Sequence, residues 1–325
     1  MKRQLLTLSS LCTLLFLVAA CSQPSGQSQT ASGEMKAPEK GILPVSAKLS
    51  EKVVVAGEKD ITGLWAGQFD STANQKKLAG FMRELYGAED FEFYEFISPE
   101  TYSQIPADLR KSVEKDALYG EYYIAPPNKL SLVIDQFGEG KVTGRSVCAG
   151  NDRPLTGTYE ATAEGWTMTL NEPGDDRYDG VFTVSFRKND SLMTGTWKPF
   201  KPTVAEKTFT LYRSNFTYNP EYHFNWPSRF GNAEDLNASA RVLTEADVEN
   251  QPKATLRIAR TAMYARHGYS FKNRDVRNFF EGFNDYVPVT GQDLRNLLTE
   301  TELKNEALLK RYEAYAEEFY DQYGR

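Results

Sequence analysis

Residues 263–271 read MYARHGYSF and put a phenol, a guanidinium and an imidazole within four positions. Proteins move protons with such groups: imidazole titrates near neutrality, and a cation beside it would stabilise developing negative charge. The chain has two histidines, His267 here and His223. A catalytic reading makes His267 the acid–base group, with Tyr264 and Arg266 beside it. Helix geometry opposes this, because adjacent residues on a helix point in different directions and could not both act on one substrate atom. The competing reading is a helix end, with His267 satisfied by hydrogen bonds, Tyr264 in the core and Arg266 in an ion pair. Leu256, Ala259, Met263 and His267 fall at i, i+3, i+7 and i+11, one face of a helix. Gly268 stands where a left-handed C-terminal cap needs glycine, and Arg260 and Arg266 suit the helix dipole. On this reading Arg260, Tyr264, Ala265, Arg266, His267 and Gly268 form a structural motif and no catalytic residue is assigned.

The rest of the chain offers little chemistry. It contains no Gly-x-Ser-x-Gly, no His-Glu-x-x-His and no Gly-rich phosphate loop. With two histidines and Cys148 standing alone, a zinc site would need carboxylates. The segment EPGDDRYDG, Glu172–Gly180, gathers Asp175, Asp176 and Asp179. Read as a calcium loop, it has Arg177 at the third position and Phe186 at the twelfth, so an acidic hairpin turn is expected. No metal and no cofactor is assigned. Carboxylates are plentiful, but nothing singles out a hydrolytic pair.

The N-terminus bears on compartment. Lys2 and Arg3 precede the apolar run LLTLSSLCTLLFLVAA, the pattern of a secretory signal over residues 1–20. The run ends in LVAAC, which resembles a bacterial lipobox and implies diacylglycerol and palmitate on Cys21, a membrane anchor through lipid. By resemblance to Gram-negative lipoproteins, Ser22 after that Cys implies the outer membrane. Cys12 would leave with the signal, so Cys148 has no disulfide partner and is expected as a small buried residue on a strand. Loss of Lys2 and Arg3 takes the formal charge from −6 to −8, which argues against nucleic acid and anionic lipid as partners.

Periodicity then divides the chain. Residues 21–57 read as a lipidated Cys and disordered tether; its Ser-, Gln-, Gly- and Pro-rich part, Ser22 to about Ala47, has a reach of roughly 25–30 Å. Residues 58–214 have period two, in eight short strands with alternation such as Trp166, Met168, Leu170 against Thr167, Thr169. That predicts an antiparallel meander, either a small barrel or a sandwich. Gly63-x-Trp65 in the first strand and Gly195-x-Trp197 in the seventh resemble the calycin or lipocalin-type barrel, in which an early Gly-x-Trp plugs one end. An insertion at about 71–127 is partly helical, with Leu78, Phe81 and Leu85 as the apolar face; it is either a lid over the mouth or an outside loop.

After a connector at 215–240 the period turns helical, over 241–325. Ser270 or Asn273 would cap a short helix whose apolar side is Val276, Phe279 and Phe280. Thr299 and Glu302 have capping-box spacing before a last helix with Leu308, Tyr312, Tyr315 and Phe319 on one face. The string LRIARTAMYARHGYSFKNRDVRNFF, followed by YVPV, resembles the YARHG domain over about Val242 to Tyr323, with Asp285 where that family often has Trp. The resemblance implies a bacterial envelope lipoprotein and no established activity. The expectation is an α+β chain of two domains, a barrel-like unit and a compact helical one. Its role would be to bind or scaffold an envelope protein, glycan or lipid. The alternative is an envelope hydrolase acting on peptidoglycan or glycans through a carboxylate pair.

Overall fold

The computed structural model describes residues 61–86, 96–115, 120–187, 190–224 and 236–319. The expected signal, Cys21 and the tether to residue 57 lie outside the described residues. Strand β1 (Gly63–Phe69) leads into the insertion, which carries α1 (Ala73–Tyr86), β2 (Phe96–Ile97), α2 (Pro99–Gln104), β3 (Val113–Lys115) and β4 (Tyr122–Ile124). Seven strands follow: β5 (Lys129–Gly138), β6 (Lys141–Cys148), β7 (Asn151–Ala161), β8 (Gly165–Asn171), β9 (Gly180–Arg187), β10 (Leu192–Pro199) and β11 (Lys207–Ser214). Each pairs antiparallel with the next, and β1 pairs with both β5 and β11. The sheet is therefore a closed barrel and not a sandwich, with no open edge left to pair with other chains.

The inward phase of the alternation fills the barrel in layers. At one end Trp65 is 1% exposed and packs edge-on against Phe186, and Arg213 lies over its ring at 5.2 Å. Its indole Nε1 donates to the Ile61 carbonyl at 2.8 Å, so the early Gly-x-Trp closes that end. Leu132, Met168, Val184, Met193 and Leu211, all fully or almost fully buried, pack the middle. A buried side chain of this size contributes about 1.5–3 kcal/mol, so this layer carries much of the barrel's stability. The second Gly-x-Trp places Trp197 near the opposite end, where the inward side chains turn polar.

The insertion leaves from that polar end and has its own small core of Leu78, Met82, Ile97, Ile105 and Ile124. The face of α1 differs from expectation. Leu78, Ala79 and Met82 are buried, Phe81 is half-buried and Leu85 is 39% exposed, because the helix meets its small sheet along the 78/79/82 arc. Tyr123 of β4 instead enters the core of the helical region, where its hydroxyl accepts from Asn278 Nδ2 at 2.7 Å.

The helical region consists of α3 (Glu245–Val248), α4 (Lys253–Arg266), α5 (Arg274–Glu281) and α6 (Glu300–Phe319). Helix α4 is central and buried nearly all round. Asn273, not Ser270, caps α5: its side chain accepts from Val276 N, and Val276, Phe279 and Phe280 are buried as expected. On α6 the expected face is half right: Leu308 and Tyr312 pack, partly buried, against the helical core, but the most deeply buried positions lie to one side of them. Glu302, Asn305, Glu306 and Leu309 face inward, whereas Tyr315 is 48% exposed and the Phe319 side chain lies outside the described set. The cause is polar. Asn305 donates to the Ala238 and Arg241 carbonyls and accepts from Leu243 N, so an apolar-stripe argument could not find this face.

The barrel and the helical region belong to one compact unit. Val289 packs on Leu64 and Val133, on the outer face of β1 and β5. Lys129 Nζ donates to the Phe283 and Asn284 carbonyls at 2.6 and 3.0 Å. Ser270 Oγ accepts from Gly150 N at 2.8 Å, and Asp152 accepts from Thr290 Oγ1 and Gly291 N. Among the described residues no helix is long and apolar enough to cross a membrane.

Candidate functional site

The MYARHG string is the end of a helix. Gly268 has φ +72°, its N–H donates to the Ala265 carbonyl, and Tyr269 N–H reaches back to Tyr264, the paired bonds of a Schellman cap. His267 is sealed, with Nε2 2.8 Å from Glu302 Oε2 and its ring stacked on Tyr218 at 4.1 Å. Glu302 also accepts from Ser239 Oγ at 2.7 Å, Tyr218 OH at 3.2 Å and Thr299 N at 2.9 Å. Thr299 Oγ1 accepts in return from Glu302 N, so the expected capping box is present and its carboxylate doubles as the anchor for His267. Burial alone would raise the Glu302 carboxyl; the bonds from His267, Thr299 and Ser239 outweigh it and hold the group below its ordinary value.

The other members of the string are equally occupied. Arg260 makes a two-pronged pair with Glu313, Tyr264 OH donates to Glu306, and Ala265 is 3% exposed in the core. Arg266 departs from the expected ion pair. Its Nε donates to the Tyr222 carbonyl at 2.8 Å and its guanidinium carbon sits 5.6 Å from the Phe224 ring centre, so it clamps the connector; burial lowers it to about 10. Apart from His267 Nδ1, which is buried without a hydrogen-bond partner, the side chains of this cluster spend their polar atoms on holding three segments together.

A different set of side chains surrounds a cavity of about 500 Å³ at the polar end of the barrel. They are the last inward residues of the strands: Phe69 on β1, Cys148 on β6, Arg153 on β7, Trp197 on β10 and Lys207 on β11, with Glu172 just past β8. The helical region contributes Lys272 and Arg277. Glu172 is 8% exposed and accepts from Ser146 Oγ at 2.6 Å, Gly180 N at 2.8 Å and Trp197 Nε1 at 3.1 Å. Burial raises its carboxyl, only partly offset by those three neutral donors. Asp179 Oδ2 accepts from the backbone N–H of Gly174, Asp175 and Asp176, and Arg153 pairs with both its oxygens. The segment 172–179 is thus the acidic hairpin turn expected, folded around its own carboxylate. Cys148 lies on a strand, half-buried rather than sealed, and burial pushes its thiol up to about 12. Among the described residues no group of three or more His, Cys, Asp or Glu could hold a metal ion.

Sequence reasoning missed this site, although one signal for it was there. The alternation Trp166, Met168, Leu170 continues in phase to Glu172, so a carboxylate sits on the inward face of a strand that is otherwise apolar. Lys207 stands in the same relation to Phe209 and Leu211. The contribution of Lys272 and Arg277 needs the docking of the helical region and has no local signature.

Residues 231–314 match the YARHG domain family. The match begins before the expected Val242 and stops short of Tyr323. No curated protein and no solved structure matches the chain.

Proposed function

We propose that the protein is a lipid-anchored lipoprotein of the bacterial outer membrane whose role is to bind an envelope component without turning it over, at the mouth of the barrel. The observation that carries the binding role is the cavity of about 500 Å³, within the range of small-molecule sites, lined by aromatic rings and convergent charged groups. The thiol in its wall is held protonated by burial, which suits a wall better than a nucleophile. The anchor rests on the lipobox-like LVAAC and the tether that follows it.

The competing reading, hydrolysis of peptidoglycan or glycans through a carboxylate pair, draws support from Glu172 and Asp179 meeting at this mouth. Both are already engaged, Glu172 by three donors and Asp179 by Arg153 and three backbone N–H groups. The mature protein, incubated with muropeptides and envelope lipids and followed by mass detection, should retain a ligand saturably and unchanged. Cleaved product would instead establish the hydrolase. Cys21→Ser should abolish incorporation of labelled palmitate; equal incorporation by the variant would remove the anchor from the account.

A further inference from the structure

We infer that the barrel mouth is an anion site shared between the barrel and the helical region, fitted to a small organic anion with an aromatic or apolar body. This deepens the binding reading above and rests on it. The argument is one of charges already spent and charges still free. The two buried carboxyls of the mouth, Glu172 and Asp179, are saturated with donors from their own surroundings. The cations are not matched in the same way. Lys207 points inward with its ammonium 4.8 Å above the Phe69 ring, and among the described residues no carboxylate lies within ion-pair distance of it. Lys272 reaches the same cavity, again with no ion pair among the described residues. Arg277 lines the cavity too and is only loosely held: Nη1 donates to the Lys272 carbonyl at 3.3 Å, the Glu281 carboxylate is a long ion pair at 3.9 Å, and Nε is buried with no hydrogen-bond partner. A buried donor without a partner is costly and rare in folded proteins, and here it belongs to a guanidinium at the wall of a cavity.

Glu281, the nearest counter-charge, is weakened. Burial pushes its carboxyl up to about 8 although Arg277, Lys129 and Lys207 face it, which makes it a poor counter-charge for Arg277 at 3.9 Å. The apolar side of the cavity is aromatic, with Phe69, Phe182 and Trp197 in the wall and Tyr178 half-exposed at the rim. Rings beside Lys207 and Lys272, neither of which has an ion pair among the described residues, suit a flat or apolar body bearing one acidic group.

The site is composite, and one glycine makes it so. Gly150, in the β6–β7 turn, has φ +79°, and a Cβ there would sit 2.6 Å from Lys272 N. Its N–H holds Ser270 Oγ. The absence of a side chain at 150 lets the segment carrying Lys272 and Arg277 close over the mouth.

The test titrates the full mature protein with two probes, 8-anilinonaphthalene-1-sulfonate and its neutral counterpart N-phenyl-1-naphthylamine. The sulfonate should saturate at one per chain and bind at least about tenfold more tightly than the neutral probe, the value of one charge-assisted contact. Lys207→Met and Lys272→Met should each weaken the sulfonate severalfold or more and leave the neutral probe unchanged. Lys207→Arg should restore binding, and Lys141→Met at the Trp65 end should have no effect. Equal affinity for both probes, or sulfonate binding indifferent to Lys207→Met and Lys272→Met, would overturn the anion site while leaving a binding cavity. Binding of neither probe would overturn the anion site and remove the binding reading with it.

Discussion

The molecule holds two polar clusters of similar composition and opposite logic. At the end of α4, His267, Glu302, Ser239, Tyr218 and Arg266 are buried or half-buried and engaged with one another. At the barrel mouth, Glu172 and Asp179 are satisfied, but Lys207 and Lys272 face open space without an ion pair among the described residues, and Arg277 beside them has only a long ion pair with Glu281. The first cluster has the residue types usually associated with catalysis, and it is a joint. The second has no histidine, and it is the cavity. Residue type is a poor guide to function when burial is ignored: His267 keeps one unpartnered nitrogen, Nδ1, but it is sealed away from the cavity, whereas a cation beside a void can meet something else.

The comparison breaks most visibly at Glu302. Glu302→Ala should cost about 3–5 kcal/mol in urea denaturation, because it strands the His267 imidazole, Ser239 and Tyr218 at once. Glu302→Gln should cost less, since it keeps an acceptor. An effect under 1 kcal/mol would mean that the cluster is not the joint described.

Gly268→Ala should come next, at about 2–4 kcal/mol, combining the left-handed conformation with forced overlap. A Cβ at φ +72° would collide with Val289 Cγ2 and stand 3.1 Å from the Val287 carbonyl. The same change at Gly80, around which nothing lies within 4 Å, is the control and should not destabilise.

Glu281 sharpens the contrast through pH. Its folded pKa is raised from 4.5 to about 8, so between those values the unfolded chain binds fewer protons and stability should fall as pH rises. Lys129, lowered to about 8 by burial, acts in the opposite sense only above that pH, where the folded state releases its proton first. Thermal melts from pH 5 to 8 should show the decline, on the order of 1–3 kcal/mol, and Glu281→Gln should flatten it. A wild-type profile rising over that window would contradict the burial argument.

The smallest effect belongs to Cys148. With its thiol pushed up to about 12, maleimide labelling at pH 7.5 should be far slower than for a free thiol, and Cys148→Ser should shift stability by under about 1 kcal/mol. Rapid labelling would mark the wall of the mouth as reactive.

Much of the fold was legible in the sequence because alternation and caps are local. The eight barrel strands, the Thr299–Glu302 box and the Gly268 terminus each follow from a few neighbouring residues, which also narrow the α5 cap to Ser270 or Asn273, of which Asn273 is the cap. The polar part of the inward face of α6 was not legible, since Glu302, Asn305 and Glu306 are held there by partners far away in the chain, whereas Leu308 and Tyr312 of the expected stripe do pack on the core. Arg266 misled for the same reason, as its partner is a carbonyl 44 residues away. The site was half legible: Glu172 and Lys207 continue the inward phase of their strands, whereas Arg277 reaches the mouth only through tertiary docking.

The central claim is that the histidine end of α4 is structural and the barrel mouth is where the protein meets its ligand. Its most direct test runs His267→Ala and Lys207→Met through the same two assays, urea denaturation and titration with the sulfonate probe. The account predicts a crossed result: His267→Ala loses several kcal/mol of stability, through lost packing and unpaired groups, and keeps its affinity per folded molecule. Lys207→Met keeps its stability and loses affinity. Wild-type stability with lost binding in His267→Ala would contradict the account and return the helix end to candidacy as the site.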